Sequence, residues 1–343
     1  MMISFFRYGT LFVLTLFSLV SLSFLLAHLF PGDLLTNLSG VAPKDEKERQ
    51  LLATLWAVDQ SVFFRFFRYC SLIFSGEWGV SISSGLPLYD EIRRTLPATI
   101  ELSFYSAVVA VVIGVPIGCL AGLKSYTKLD YTINAVAIVN YSLPVFWLGL
   151  AFILVFSLQL NWLPLSGRIS LLFDIPTVTG FILIDILLSN SLNKGEAIAN
   201  AIAHLAMPVL AVSLISGAAL VRLLRRSVID ILDKPYIASA RSRGLSSSRI
   251  FFDHVLRNAL LPILPLLAIQ ITTLMTNAII VETLFSWPGI GDWLLQAIYQ
   301  GDYTAIRMGM LVVAALIVSL TIFVDILNRL VDPRKRMPTN ATT

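Results

Sequence analysis

The sequence predicts an all-α membrane protein with six transmembrane helices. Its 343 residues are 57% hydrophobic and only 13% charged, far more apolar and less charged than an average soluble domain, and the mean hydropathy is +0.81. Apolar runs of bilayer length recur along the chain, and Lys and Arg collect in alternate segments between them. The net charge of +4 is modest and sorted by membrane side, so no nucleic-acid partner is indicated. Cys70 and Cys119 stand far apart, the second inside a predicted span, and give neither a disulfide framework nor a zinc spacing.

Arg7 precedes the apolar run Tyr8–Phe30, 23 residues and enough to cross a bilayer. The run is long for a cleavable signal peptide. Pro31-Gly32-Asp33 ends it where a small-residue cleavage site would stand, so a retained first span is expected. Residues 34–97 mix charge, aromatics and turn formers. Within them Lys44–Gln50 reads as a polar helix and Ser61–Phe74 as an aromatic amphipathic helix at the interface. Leu96-Pro97-Ala98-Thr99 leads into the second span, Ile100–Leu123. After the polar turn Lys124–Asp130, the third span covers Tyr131–Leu158, holds Asn134, Asn140 and Ser142, and should kink at Pro144. A second outer segment covers residues 161–203. Its apolar part, Thr179–Leu188, is too short to cross and is interrupted by Asp185, which predicts an interfacial or protein-packed helix. Spans four, five and six are His204–Val221, Ala259–Leu284 and Tyr303–Leu327.

Charge fixes the expected orientation. With the N-terminus inside, fifteen of the 25 Lys and Arg fall in inner segments. They are Arg7; Lys124 and Lys128; Arg222, Arg225, Arg226, Lys234, Arg241, Arg243, Arg249 and Arg257; and Arg329, Arg334, Lys335 and Arg336. The long first outer loop holds seven, but long loops weigh little in this rule, and the outer segment Phe285–Gln300 holds none.

The chain is organised around the stretch Asp233–Pro262, its one strongly basic and amphipathic segment. It reads as a short helix, a glycine stop and a second helix. Asp233 is placed to cap the first, Pro235 fits its first turn, and Gly244 suits a left-handed helix end. Ser246 or Ser247 offers a fresh N-cap, after which Ile250, Phe251, His254, Val255 and Asn258 continue at helical spacing.

This stretch resembles the cytoplasmic coupling loop of ABC importer permeases, patterned Glu-Ala-Ala, three residues, Gly, nine residues, Ile-x-Leu-Pro. Ala238, Ser239 and Ala240 take the first places and Gly244 falls at the right spacing; the glutamate and the last proline are absent, with His254, Leu256 and Arg257 where Ile, Leu and Pro would stand. Tyr236, Ile237, Ala240, Arg241, Gly244 and Leu245 match the version found in the oligopeptide/dipeptide branch. The resemblance runs nearly end to end. It includes Pro31-Gly32-Asp33, Gly76-Glu77-Trp78-Gly79-Val80-Ser81, Leu96 to Leu102, Ser142 to Gly149, Trp162 to Gly167, His204 to Pro208, Glu282 to Gly291 and Asp332-Pro333-Arg334. Gly167-Arg168, Thr179-Gly180-Phe181 and Leu183-Ile184-Asp185 are most similar to Sap-type peptide permeases.

The resemblance implies a type I ABC importer permease fold in a bacterial inner membrane, both termini cytoplasmic. It divides the chain into a first transmembrane helix (1–30), a periplasmic segment (31–97), a core of five transmembrane helices (98–330, coupling loop about 222–258) and a cytoplasmic tail (331–343). It also implies partners: a second homologous permease, two cytoplasmic ATP-binding subunits and a periplasmic substrate-binding protein. Tyr236, Ala238, Ser239, Ala240, Arg241, Gly244 and Leu245 would meet the ATPase. Glu282, Trp287, Pro288 and Gly289 would form the outer gate and binding-protein dock; read alone, that segment is equally a plain interfacial hairpin with an aromatic anchor. Peptides, including cationic ones, haem, nickel and polyamines are all carried within the branch.

No catalysis is expected from the chain itself. It has no GxxxxGK[ST] phosphate loop, so ATP is expected on partner subunits and no cofactor on this one. His28, His204 and His254 are scattered and suggest no metal site. Gln270, Thr273 and Asn277 share one face of span five, either lining the translocation path or bonding helices together. Mid-span acid pairs are lacking, which argues against a proton-coupled secondary transporter, the main rival class.

Overall fold

The computed structural model describes residues 2–190 and 193–331. The predicted tail, with Asp332-Pro333-Arg334, Lys335 and Arg336, lies outside the described residues, apart from Val331. Among the described residues the chain is helical, with one isolated antiparallel bridge, Val80 to Pro87, and no β-strand. The helices are α1 (Met2–Leu29), α2 (Leu34–Ser39), α3 (Glu46–Trp56), α4 (Val62–Ser75), α5 (Leu88–Leu123), α6 (Lys128–Ser142) and α7 (Val145–Gln159, its last turns π-helical). They continue as α8 (Ile182–Leu188), α9 (Lys194–Leu232), α10 (Pro235–Ser242), α11 (Ser247–Ile250, followed by a π-helical stretch to Leu256), α12 (Arg257–Leu260), α13 (Leu264–Leu284), α14 (Ile290–Gln300) and α15 (Tyr303–Val331).

Among the described residues, four helices are long and apolar enough to cross a membrane: Tyr8–Leu29, Leu88–Leu123, Lys194–Leu232 and Tyr303–Leu330. The pair α6 and α7 makes a fifth candidate, bent by 101°. That bend falls at Leu143-Pro144, so the predicted kink is a break. Pro144 supplies no N–H to continue α6 and instead N-caps α7. The predicted fifth span is also divided. Its α12 stops at Leu260, a turn follows around Pro262, and α13 starts with a proline in its first turn; its apolar part, Ile269–Leu284, is shorter than the other spans. Three predicted boundaries shift most. The helix of span two begins at Leu88 and runs through Pro97, and that of span four begins at Lys194, inside the predicted outer segment, and reaches Leu232. Hydropathy marks where a helix meets water, whereas hydrogen bonding carries the helix past that point.

Two compact units can be separated. The first comprises residues 2–100, 174–190 and 286–319. Its core gathers Phe24, Leu38, Trp56, Tyr69, Leu88 and Met308. Local caps set its short helices. Asp45 accepts from the Glu48 N–H at 2.7 Å while the Glu48 carboxylate accepts from the Lys44 N–H at 2.7 Å, a reciprocal N-terminal cap for α3. The α4 helix is amphipathic as predicted: Tyr69 and Leu72 are buried, and Phe63, Phe67 and Phe74 are exposed. The α8 helix buries Ile182, Asp185 and Ile186 and exposes Ile184, Leu187 and Leu188. The buried Asp185 carboxylate accepts from Thr179 N–H and Oγ1 and from Gly180 N–H, closing the turn ahead of the helix.

The second unit comprises residues 101–173, 193–285 and 320–331. It is built on α9, which packs against α6, α7, α12 and α13. Helix α5 also approaches α9 closely along Gly118 and Gly122. A Cβ on Gly118 would lie 2.8 Å from Leu224 Cβ, and one on Gly122 would lie 2.6 Å from Val228 Cβ. Only glycine lets these two backbones meet. Leu224, Val228, Ile237, Ala240, Ile250 and Val255 form one buried cluster that seats α10 and α11 on the end of α9.

Candidate functional site

The stretch Asp233–Pro262 forms a packed surface rather than an open loop. Asp233 does not cap α10: its N–H bonds back to Ile229 O, so it terminates α9, and Lys234 takes the N-cap position with no side-chain bond. Pro235 opens α10, where its missing N–H is not needed. Ile237 and Ala240 are buried, while Tyr236, Ala238, Ser239 and Arg241 are exposed. The helix is thus anchored through an i, i+3 pair and presents the opposite face. Gly244 has φ +77° and closes α10 with two bonds, Gly244 N–H to Arg241 O at 2.9 Å and Leu245 N–H to Ala240 O at 3.3 Å. These are the paired bonds of a left-handed helix end, and half-buried Leu245 packs on the same cluster as Ala240. Ser246 then accepts from Arg249 N–H and caps α11.

Beside this surface, within the same unit, a cavity of about 860 Å³ opens along α9. Asn134 and Tyr141 of α6, Ser216 and Arg222 of α9, and Gln270 and Thr273 of α13 line it. Two of the three polar residues predicted to share a face therefore meet one cavity. Asn277, one turn further on, is half-buried. The cavity wall also includes Arg225, whose guanidinium donates to both oxygens of the fully buried Asp130, at 2.7 Å from Nη2 to Oδ2. Asp130 in turn accepts from Tyr126 N–H at 2.9 Å, which ties the turn between α5 and α6 to α9.

The segment Glu282–Gly289 is mostly interior. Glu282, Trp287 and Gly289 are buried and Pro288 is exposed. Trp287 is not an interfacial anchor: its indole N–H donates to Ala98 O at 3.0 Å, and the Ile290 N–H donates to Thr99 Oγ1 at 2.8 Å. In α14, burial pushes the Asp292 carboxyl above its ordinary range, against the opposing effect of a Gln296 hydrogen bond.

Three buried ionic features were not singled out from the sequence. Arg307, wholly buried in α15, donates to Tyr69 Oη and to Leu38 O (3.1 Å) and lies over the Tyr69 ring, 5.1 Å from its centroid. A lone arginine inside the apolar run Tyr303–Leu327 is the signal that could have found it. Asp302 accepts from Ser81 Oγ at 2.6 Å and from Ser83 N–H at 3.1 Å. Glu101 accepts from Arg168 Nε at 3.0 Å within the second unit.

With this geometry in hand, comparison with known proteins is decisive. The family described as "Binding-protein-dependent transport system inner membrane component" matches residues 114–337. The chain is 36% identical over 326 residues to the di/tripeptide transport system permease protein DppB of Pseudomonas aeruginosa, covering 95% of this chain and 96% of that one. It is 42% identical over 259 residues to the putrescine export system permease protein SapB of Escherichia coli K12 (76% of this chain, 81% of that one). It is 41% identical over 259 residues to the peptide transport system permease protein SapB of Salmonella typhimurium, with the same coverage. The chain belongs to the inner membrane permeases of binding-protein-dependent ABC transporters and is homologous to the peptide permeases SapB and DppB.

Proposed function

We propose that this chain is one of two permease subunits of an importer for short peptides, working by alternating access with six spans and both termini cytoplasmic. ATP binds to partner subunits and the chain itself catalyses nothing. A periplasmic binding protein delivers cargo to the outer side, where Glu282–Gly289 forms part of the gate. ATP-driven closure of two cytoplasmic subunits then moves α10, and α10 moves α9 and α13.

The observation that carries this reading is the form of α10. Ile237 and Ala240 are locked into the cluster at the end of α9, and the face with Tyr236, Ala238, Ser239 and Arg241 is left open. A helix so anchored transmits a push as a rigid body, which a flexible loop does not do. Peptide cargo is favoured by the DppB and SapB relatives named for peptide transport. The SapB relative named for putrescine export supports a second reading, a polyamine as cargo. The test is purification of the protein with its native partners, their identification by mass spectrometry, and an ATPase assay of the complex. Copurifying ATP-binding subunits whose hydrolysis rises with peptide and binding protein are expected. Peptide uptake that survives deletion of the ATPase subunits would favour a secondary transporter instead.

A further inference from the structure

The cavity along α9 carries a charge that neither the fold nor the coupling surface uses. Arg225 is neutralised by Asp130. Arg222 and Arg226, on the same wall, have no ion-pair partner among the described residues. Arg222 instead lies over the Tyr141 ring, 5.7 Å from its centroid, which orients the guanidinium without discharging it. Asp230 is the one acid on the wall among the described residues, so positive charge is in excess there. A second observation is independent of charge. Ser216 is 4% exposed, lines the cavity, and its hydroxyl has no hydrogen-bond partner among the described residues. Buried hydroxyls are rarely left unbonded, so this one points to an occupant. Gln270 and Thr273 add neutral polar groups from the facing helix. The volume, about 860 Å³, falls within the range of sites for small ligands.

We propose that this cavity binds the carboxylate of the passing cargo, with Arg222 and Arg226 as the cationic partners and Ser216, Gln270 and Thr273 bonding its neutral polar groups. The inference rests on the peptide reading above and sharpens it. A short peptide with a free C-terminus is favoured here, whereas a polyamine, cationic throughout, meets like charge. Guanidinium is the suitable group because it offers two parallel donors to a carboxylate. The same chemistry would fit the phosphate of a lipid headgroup, and the experiment separates the two.

The full transporter, with its permease partner, ATPase subunits and binding protein, is reconstituted in vesicles. Uptake of trialanine is compared with that of trialanine amide. The binding protein's own preference is common to native and variant complexes and cancels in the ratio of ratios. For the variant R222Q/R226Q, uptake of the acid should fall about tenfold more than uptake of the amide, the effect of losing charge-assisted bonds to one carboxylate. The variant R222K/R226K keeps both charges and should hold most of the preference, and copurification of the ATPase subunits reports intact assembly. Equal losses for both probes would overturn the proposal and make the arginines structural or coupling residues. If removing anionic lipid from native vesicles lowers both probes equally and mimics the variant, the site belongs to a headgroup, which also overturns it. If the native complex takes up neither probe, the peptide reading itself fails and this inference falls with it.

Discussion

Replacing Gly244 separates backbone geometry from every other property of the coupling surface. The residue sits at φ +77°, and a Cβ built on it would meet nothing within 4 Å. The penalty for a side chain is therefore conformational and not steric. Alanine at a left-handed position costs about 1 kcal/mol, and a β-branched valine about 2 kcal/mol or more. Against this stands the anchoring of α10. Ile237 is fully buried, and burial of such a side chain contributes roughly 1.5–3 kcal/mol. Gly244→Ala should then leave α10 seated. Gly244→Val brings the two terms to near equality and should let the helix end unwind or shift. Gly244→Asn is the control, because asparagine tolerates this region and should behave like the native protein. The assay is threefold: membrane insertion, copurification of the ATPase subunits, and ATP hydrolysis with and without cargo. Insertion is expected to survive in all three variants. The valine variant alone should lose ATPase association or hydrolyse ATP without response to cargo. A valine variant with normal association and normal uptake would refute the reasoning and reduce Gly244 to an ordinary loop residue.

Other perturbations address the remaining elements. Asp130→Asn and Arg225→Gln, singly and together, should show a coupling of about 2–4 kcal/mol in thermal unfolding of the detergent-solubilised protein, since the acid is wholly buried and the arginine about a quarter exposed; a coupling below about 0.5 kcal/mol would make the pair incidental. Tyr69→Phe removes an acceptor from buried Arg307 and should destabilise by about 1–3 kcal/mol, measured in the same way. Thr273→Leu should lower uptake while leaving assembly intact if α13 lines the path; unaltered uptake or failed assembly favours the helix-bonding role. A cysteine placed at exposed Ser247 should be protected from an impermeant reagent in intact cells, and labelling from outside would reverse the proposed orientation.

Local features were legible in the sequence because their causes are local. Pro144 has no N–H to continue α6, and the chain bends by 101° there. Gly244 and Ser246 are chosen by the backbone of their own turn. The aromatic spacing of Ser61–Phe74 divides buried Tyr69 and Leu72 from exposed Phe63 and Phe67. Pairings across the chain leave no such trace. Arg225 counted only as one of the inner positive charges, yet its partner Asp130 lies 95 residues away. Arg307 and Tyr69 are 238 residues apart. Helix ends are hard to place from sequence for a related reason. The arginines after Val221 end the apolar run, but they are good helix formers and α9 continues through them to Leu232. The type and neighbours of Trp287 fit an anchor or a gate element equally, and only the fold shows it wholly buried with its N–H on Ala98.

On the proposed function, this permease moves cargo only while partner ATPase subunits hydrolyse ATP. This is tested most directly by uptake of a labelled peptide into vesicles holding the full complex and enclosed ATP, beside vesicles in which the ATPase subunits bind but do not hydrolyse the nucleotide. Uptake in the first and none in the second is the predicted result. Equal uptake in both, driven by an imposed ion gradient alone, or a fully assembled complex that moves nothing in either, would contradict it.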